Sequence, residues 1–196
     1  VGRKKQKSTN KGIKIFSGAL ALTFLSVPVL LLNGAPTSAI TQTATTKVNV
    51  TIDQVIAVFT PTNINIDITP TASGQFKTGN GNVKVFTNNV KGYTTYITSN
   101  STDTALKQSG VATTIPSVSS PSNSISGTAW GWSNDAAQFK PVKAVGATDT
   151  DTVFSRTNVA TPTGDTKVLT VGASATNSVP SGSYTNTLLL TAVTNN

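Results

Sequence analysis

The chain of 196 residues contains no cysteine, no histidine and no methionine, and its seven acidic residues are all aspartate, so glutamate is absent as well. These absences exclude a disulfide within the chain, a thiolate zinc site and an acylated lipobox cysteine. They also exclude a Ser-His-Asp triad, a cysteine nucleophile and a histidine-ligated metal. Any general acid or base work would fall to Asp, Lys or Tyr. Aromatic residues make up only 6% of the chain, with two tryptophans among them.

The net charge of +8 is unevenly spread. Arg3, Lys4, Lys5, Lys7, Lys11 and Lys14 precede an apolar run over residues 15–32, and a small, turn-prone stretch over 33–39 follows. Basic, apolar, small is the order of a secretory leader, with cleavage expected after Ala39. The alternative is an uncleaved anchor, because an apolar run of about 18 residues just reaches across a bilayer. Pro28 and the small tail favour cleavage. The expectation is therefore an exported protein, extracellular or on the cell surface, reached through a Sec-type leader. A signal helix would occupy residues 1–39 and one domain residues 40–196, touching a membrane only through an uncut leader. Beyond residue 39 nine basic residues face seven Asp, a net charge of +2. Those nine are scattered singly, whereas a nucleic-acid binder gathers them on one face, so no nucleic-acid partner is expected.

Residues 40–196 are rich in Thr, Ser, Asn and Val, and period-2 alternation recurs where a helical period does not. Strands are expected over 47–53, with Val48, Val50 and Ile52 on one face. Further strands are expected over 55–59 (buried on both sides), 63–69 with Ile64, Ile66 and Ile68 inward, 82–88, 93–99, 129–133, 139–145, 152–154, 166–174 and 184–193. Turns are expected at Ser73-Gly74, Gly79-Asn80-Gly81 and Ser181-Gly182, and a tight hairpin at 88–92. Residues 100–127 read as long loops. Many strands with closely spaced turns predict an all-β fold: a single antiparallel β-sandwich of the Ig-like, Greek-key type.

Several residues are candidates for chemistry or binding. Trp130 and Trp132 lie two apart, so on a strand they share a side. They form either the aromatic centre of the core, the usual fate of Trp, or a ligand platform for sugar stacking. Asp149 and Asp151 form a D-x-D that could hold calcium through carboxylate oxygens, although the longer calcium-loop motifs are missing. Asp135 could pair with either as an acid/base couple, but Asp in such turn contexts is expected for its own backbone bonding. Tyr184 is expected to anchor the last strand as a corner tyrosine. A Lys–Asn isopeptide bond is conceivable, though no spacing identifies one. No cofactor is expected beyond that calcium.

Four stretches carry a family resemblance. Ile66-Asp67-Ile68-Thr69-Pro70-Thr71 is followed by Gly74-Gln75-Phe76-Lys77-Thr78-Gly79-Asn80. Val85-Phe86-Thr87-Asn88-Asn89 runs into Gly92-Tyr93-Thr94. Ala129-Trp130-Gly131-Trp132 is the third, and residues 180–192 (PSGSYTNTLLLTA) are the fourth. Together they resemble a group of uncharacterised exported β-sandwich surface proteins of candidate-phyla (Saccharibacteria-like) and Gram-positive bacteria. A looser similarity is to WxL-domain cell-wall proteins. Trp130-Gly131-Trp132 is not a Trp-x-Leu motif, so peptidoglycan binding is not carried over. The resemblance implies a sandwich fold and a place in the envelope. With no reactive residues, the expected function is that of a non-enzymatic surface or secreted structural and adhesion protein. Its partners would be cell-envelope components, glycans or copies of itself. The alternatives are a self-assembling fibre subunit that uses residues 40–58 for strand addition, and a carbohydrate-binding module built on Trp130 and Trp132.

Overall fold

Why strands dominate is visible in β2 (Gln75–Thr87) and β8 (Asp165–Ala175), which pair antiparallel from Gln75 opposite Ala175 to Val85 opposite Asp165. On β2, Gly81, Val83, Val85 and Thr87 are buried while Asn80 and Asn82, on either side of Gly81, are exposed. That is the period-2 alternation of a strand with one face on a core. The computed structural model describes residues 42–196. The leader, its Ala39 junction and the expected signal helix lie outside the described residues.

The other strands in chain order are β1 (Ile56–Phe59), β3 (Tyr93–Ser99), β4 (Leu106–Lys107), β5 (Thr114–Ile115), β6 (Ala129–Ser133), β7 (Asp151–Arg156) and β9 (Leu188–Thr194). Among the described residues there is no helix. A four-stranded sheet has the order β1-β2-β8-β6 and a three-stranded sheet the order β7-β3-β9, each antiparallel throughout. β4 and β5 form a small ribbon. Val83, Leu169, Val171, Ala173, Trp130 and Trp132 from the first sheet share one buried cluster with Ile97 and Val153 from the second. The protein is thus all-β, with antiparallel sheets facing each other across a common core, an arrangement consistent with a β-sandwich. Residues Asn49–Asn196 form this unit, and residues 42–48 belong to the preceding one.

The second half of β8 is buried on both faces. Its inner face meets the core. Its outer face is covered by Phe76 and by Phe139 from the long connection after β6, the two rings packing edge to face at 5.2 Å. Gly172 lies beneath them: a Cβ there would stand 2.6 Å from Phe139 and 2.8 Å from Phe76.

Several expected elements differ. Gly79-Asn80-Gly81 is not a turn but the middle of β2. The two glycines make room on its inner face for Pro61, Ile64 and Ile66, which would collide with any Cβ there. Residues 88–92 turn, yet not as a hairpin, because β2 and β3 belong to different sheets. The turn is held by Asn89, whose Nδ2 donates to the carbonyls of Gly92 (2.7 Å) and Asn195 (2.8 Å). β1 is an edge strand, half-buried rather than enclosed. Residues 63–69 keep the expected alternation, with Ile64, Ile66 and Ile68 against the core, but they join no sheet. Residues 139–145 contribute only bridges, Phe139 to Ser122 and Lys140 to Trp132. The strand expected over 47–53 is absent, and all its residues are exposed.

Replacing Gly172 by Val overpacks two rigid rings and is expected to lower unfolding free energy by about 1–3 kcal/mol. Urea denaturation checks this; an unchanged midpoint would mean that the outer layer is loosely held.

Candidate functional site

Trp130 and Trp132 sit on β6 with both rings in the core, 2% and 0% exposed. Each indole N–H is satisfied by a backbone carbonyl, Trp130 by Thr104 at 2.9 Å and Trp132 by Pro141 at 3.2 Å. Gly131 faces the other way, and a Cβ there would stand 2.7 Å from the Lys140 carbonyl. The connections flanking β6 close over that side, with Val118 N–H donating to the Trp130 carbonyl and Lys140 N–H to that of Trp132. Of the two expectations for this pair the core reading holds. The ligand platform is corrected, because neither indole is open to a sugar face.

The aspartates separate rather than converge. Asp135 caps its own loop: Oδ1 accepts from the Ser133 hydroxyl (2.7 Å) and the Ala137 and Gln138 amides (2.9 and 3.2 Å). Those bonds, the Ser133 hydroxyl foremost, hold its carboxyl down at about 2. Asp149 is exposed and pairs with Lys143 Nζ at 2.6 Å, which lowers its pKa and raises that of the lysine. Asp151 begins β7 opposite Ile97. Asp149 and Asp151, the pair read as a calcium site, thus have Lys143 beside the first, and among the described residues no three acidic side chains gather as metal ligands.

A polar node that the sequence does not announce lies where the two sheets meet. Asp165, at the start of β8, accepts from the Tyr93 hydroxyl at 2.9 Å, from Arg156 Nη1 at 2.8 Å and from the Thr161 amide at 3.2 Å. Tyr93 opens β3 and Arg156 closes β7, so one carboxylate ties three strands from both sheets. Burial and the bond to Asp165 push the Tyr93 phenol well above its ordinary value. Burial works against the Asp165 carboxylate, but the Thr161 amide, the Tyr93 hydroxyl and Arg156 together hold its pKa below the usual range.

What the unit leaves open is a groove of about 820 Å³. Residues 60–70 form one wall and residues 181–188 with Leu190 the other, over a floor that includes Leu169, Val171, Ala173 and Trp130. On the second wall Tyr184 donates its hydroxyl to the Pro180 carbonyl at 3.0 Å, closing the turn ahead of β9 rather than starting that strand as expected. The first wall is extended backbone. Among the described residues, no backbone–backbone hydrogen bond engages residues 61–70. Shortly before the first wall in sequence, Val48, Val50 and Ile52 present an alternating apolar row that is 79%, 78% and 81% exposed. No protein-family model matches the chain, and no curated protein matches it.

Two outcomes follow from this geometry. Tryptophan emission is expected to be that of buried indoles and to stay unmoved by glycans. A red-shifted spectrum quenched by soluble agents would contradict the burial. The Tyr93–Asp165 node also makes stability depend on pH. The phenol's folded pKa lies above its unfolded value near 10, so its contribution is present below about pH 10 and is lost as pH rises toward the folded value. The carboxyl's folded pKa lies below its unfolded value near 4, so its contribution is present above about pH 4 and is lost on acidification. Urea midpoints across pH are expected to fall less steeply in alkali for Tyr93→Phe and less steeply in acid for Asp165→Asn than for the wild type. Unaltered slopes would mean that the node is not coupled to folding.

Proposed function

We propose that this chain is an exported, non-enzymatic surface or secreted structural protein, built on a Greek-key sandwich and working through adhesion or assembly in the cell envelope. The observation that carries this reading is where the unusual side chains are used. Both tryptophans fill the core, Asp135 caps its own loop and Asp165 ties strands together. The exposed features are strand-forming backbone and apolar rows, which suit association with other chains. The Greek-key topology is supported by connections that cross between the sheets: β2 to β3, β6 to β7, β7 to β8 and β8 to β9. The leader's three-part order and the resemblance to exported surface proteins support the location.

The alternative of a fibre subunit has an observation of its own. Val48, Val50 and Ile52 alternate as a strand does and have no partner strand among the described residues. An apolar strand left open in this way is the feature proteins ordinarily blunt with charge or proline.

Fractionating producing cells and sequencing the protein's N-terminus tests the main reading. The expected result is a protein in the envelope or medium that begins at Ile40. A cytoplasmic protein with residues 1–39 intact would overturn it.

A further inference from the structure

We propose that the groove is the place of a missing strand, and that residues 47–53 of a second copy fill it, so that copies join head to tail. This rests on the strand-addition reading above and names its acceptor.

The groove has the form of a gap in the second layer. On one side stands β9, the edge of its sheet, which among the described residues pairs only with β3. On the other stands the stretch 63–70, whose Ile64, Ile66 and Ile68 rest on the core as a sheet strand would. Gly79 and Gly81 of β2 let this stretch settle closely on the first sheet. Its backbone groups nevertheless make no hydrogen bond to other backbone among the described residues. A strand between the two walls would pair with both, and its inward side chains would pack on the half-buried Ile64, Ile66, Ile68, Leu188 and Leu190 that line it. Residues 47–53 have the pattern that this place demands: Val48, Val50 and Ile52 on one face, Asn49 and Thr51 on the other. Their length of about 23 Å matches the roughly 26 Å of the wall at 63–70.

The chain's own copy of this segment is poorly placed to do it. Asn88, just beyond the last residue of β2, holds the segment's end, donating to the Asp53 carbonyl at 2.8 Å and accepting from the Val55 amide at 2.8 Å. The wall residues Ile64 and Ile66 lie against Gly79 and Gly81, and Gly81 is about 20 Å back along β2 from Thr87. A segment of about 23 Å folded back from that anchor would bring only its tip between the walls. A neighbour's segment has no such tether. Donor and acceptor are different parts of the surface, so the contact is heterologous and joins copies head to tail, as a ring where the rotation closes and as a filament where it does not.

The absence of native cysteine makes the test direct. Two full-chain variants with tags of different size, one carrying Thr51→Cys and the other a single wall cysteine (Asn65→Cys, Asp67→Cys, Thr187→Cys or Leu189→Cys), are mixed and oxidised. All five positions are exposed, so folding is not at stake. Neighbouring strands stand about 4.8 Å apart, within disulfide reach. Mixed disulfides are expected with both walls, and not with Ser155→Cys on the free edge of β7. The triple variant Val48→Asp, Val50→Asp, Ile52→Asp, added to the Thr51→Cys chain, is expected to abolish them while leaving the urea midpoint unchanged. Mixed disulfides at Ser155 alone would overturn the groove as acceptor and leave strand addition standing. A protein that stays monomeric at high concentration and forms no mixed disulfide would overturn both. A Thr51–wall disulfide formed within one chain of a double variant at high dilution would overturn the second copy as occupant.

Discussion

The antiparallel ladder between β2 and β8 is the constraint on which the rest depends. It runs the full length of β8, and each neighbour is placed by it. β1 adds to the far edge of β2, β6 to the far edge of β8, and the second sheet packs on the inner face the two strands share. The outer layer, Phe76 with Phe139, closes on Gly172 in the same ladder. A domain of this length buries enough of its surface on folding to stand without disulfides. The apolar area taken from water by the shared core is the main source of its stability.

Glycine and aromatic residues divide the labour within that frame. Gly79, Gly81, Gly131 and Gly172 all lie within strands, each where another part of the chain approaches too closely for a Cβ. The sheets are thereby tightly covered at β6 and β8 but only loosely covered beside β9. There the extended stretch 61–70 takes a strand's place without a strand's hydrogen bonds. A backbone in that condition is held by the burial of three isoleucines and by water, and it can accept a partner without first breaking a ladder.

Much of the fold was legible in the sequence. Alternation located β3, β6 and β8 closely and the body of β9, but it found only the second half of β2, whose first half was hidden by the turn expected at Gly79-Asn80-Gly81. The same signal placed Ile64, Ile66 and Ile68 inward, but side-chain pattern carries no information about which backbone groups are paired, and no ladder formed there. Gly79-Asn80-Gly81 misled because glycine serves a turn and a close approach equally well. Asn88 to Gly92 has turn chemistry, yet whether the strands it joins also pair is decided by the sheets, far from those residues. The tryptophans' burial followed from composition. The Tyr93–Asp165–Arg156 node did not, since its members are distant in sequence and only the pairing of β3 with β7 and the packing of the two sheets bring them together. The exposed row at Val48, Val50 and Ile52 reads as a strand for the same reason the others do. What it lacks is a neighbour among the described residues.

Hydrogen exchange, read by mass spectrometry on dispersed and on concentrated protein, tests this account most directly. Amides of β8 are expected to be protected throughout. Those of residues 47–53 and 63–70 are expected to exchange rapidly in the dispersed protein and to gain protection together as copies associate. Protection of residues 63–70 already complete in the dispersed protein, or no joint gain on association, would contradict the claim that a second copy supplies the missing strand.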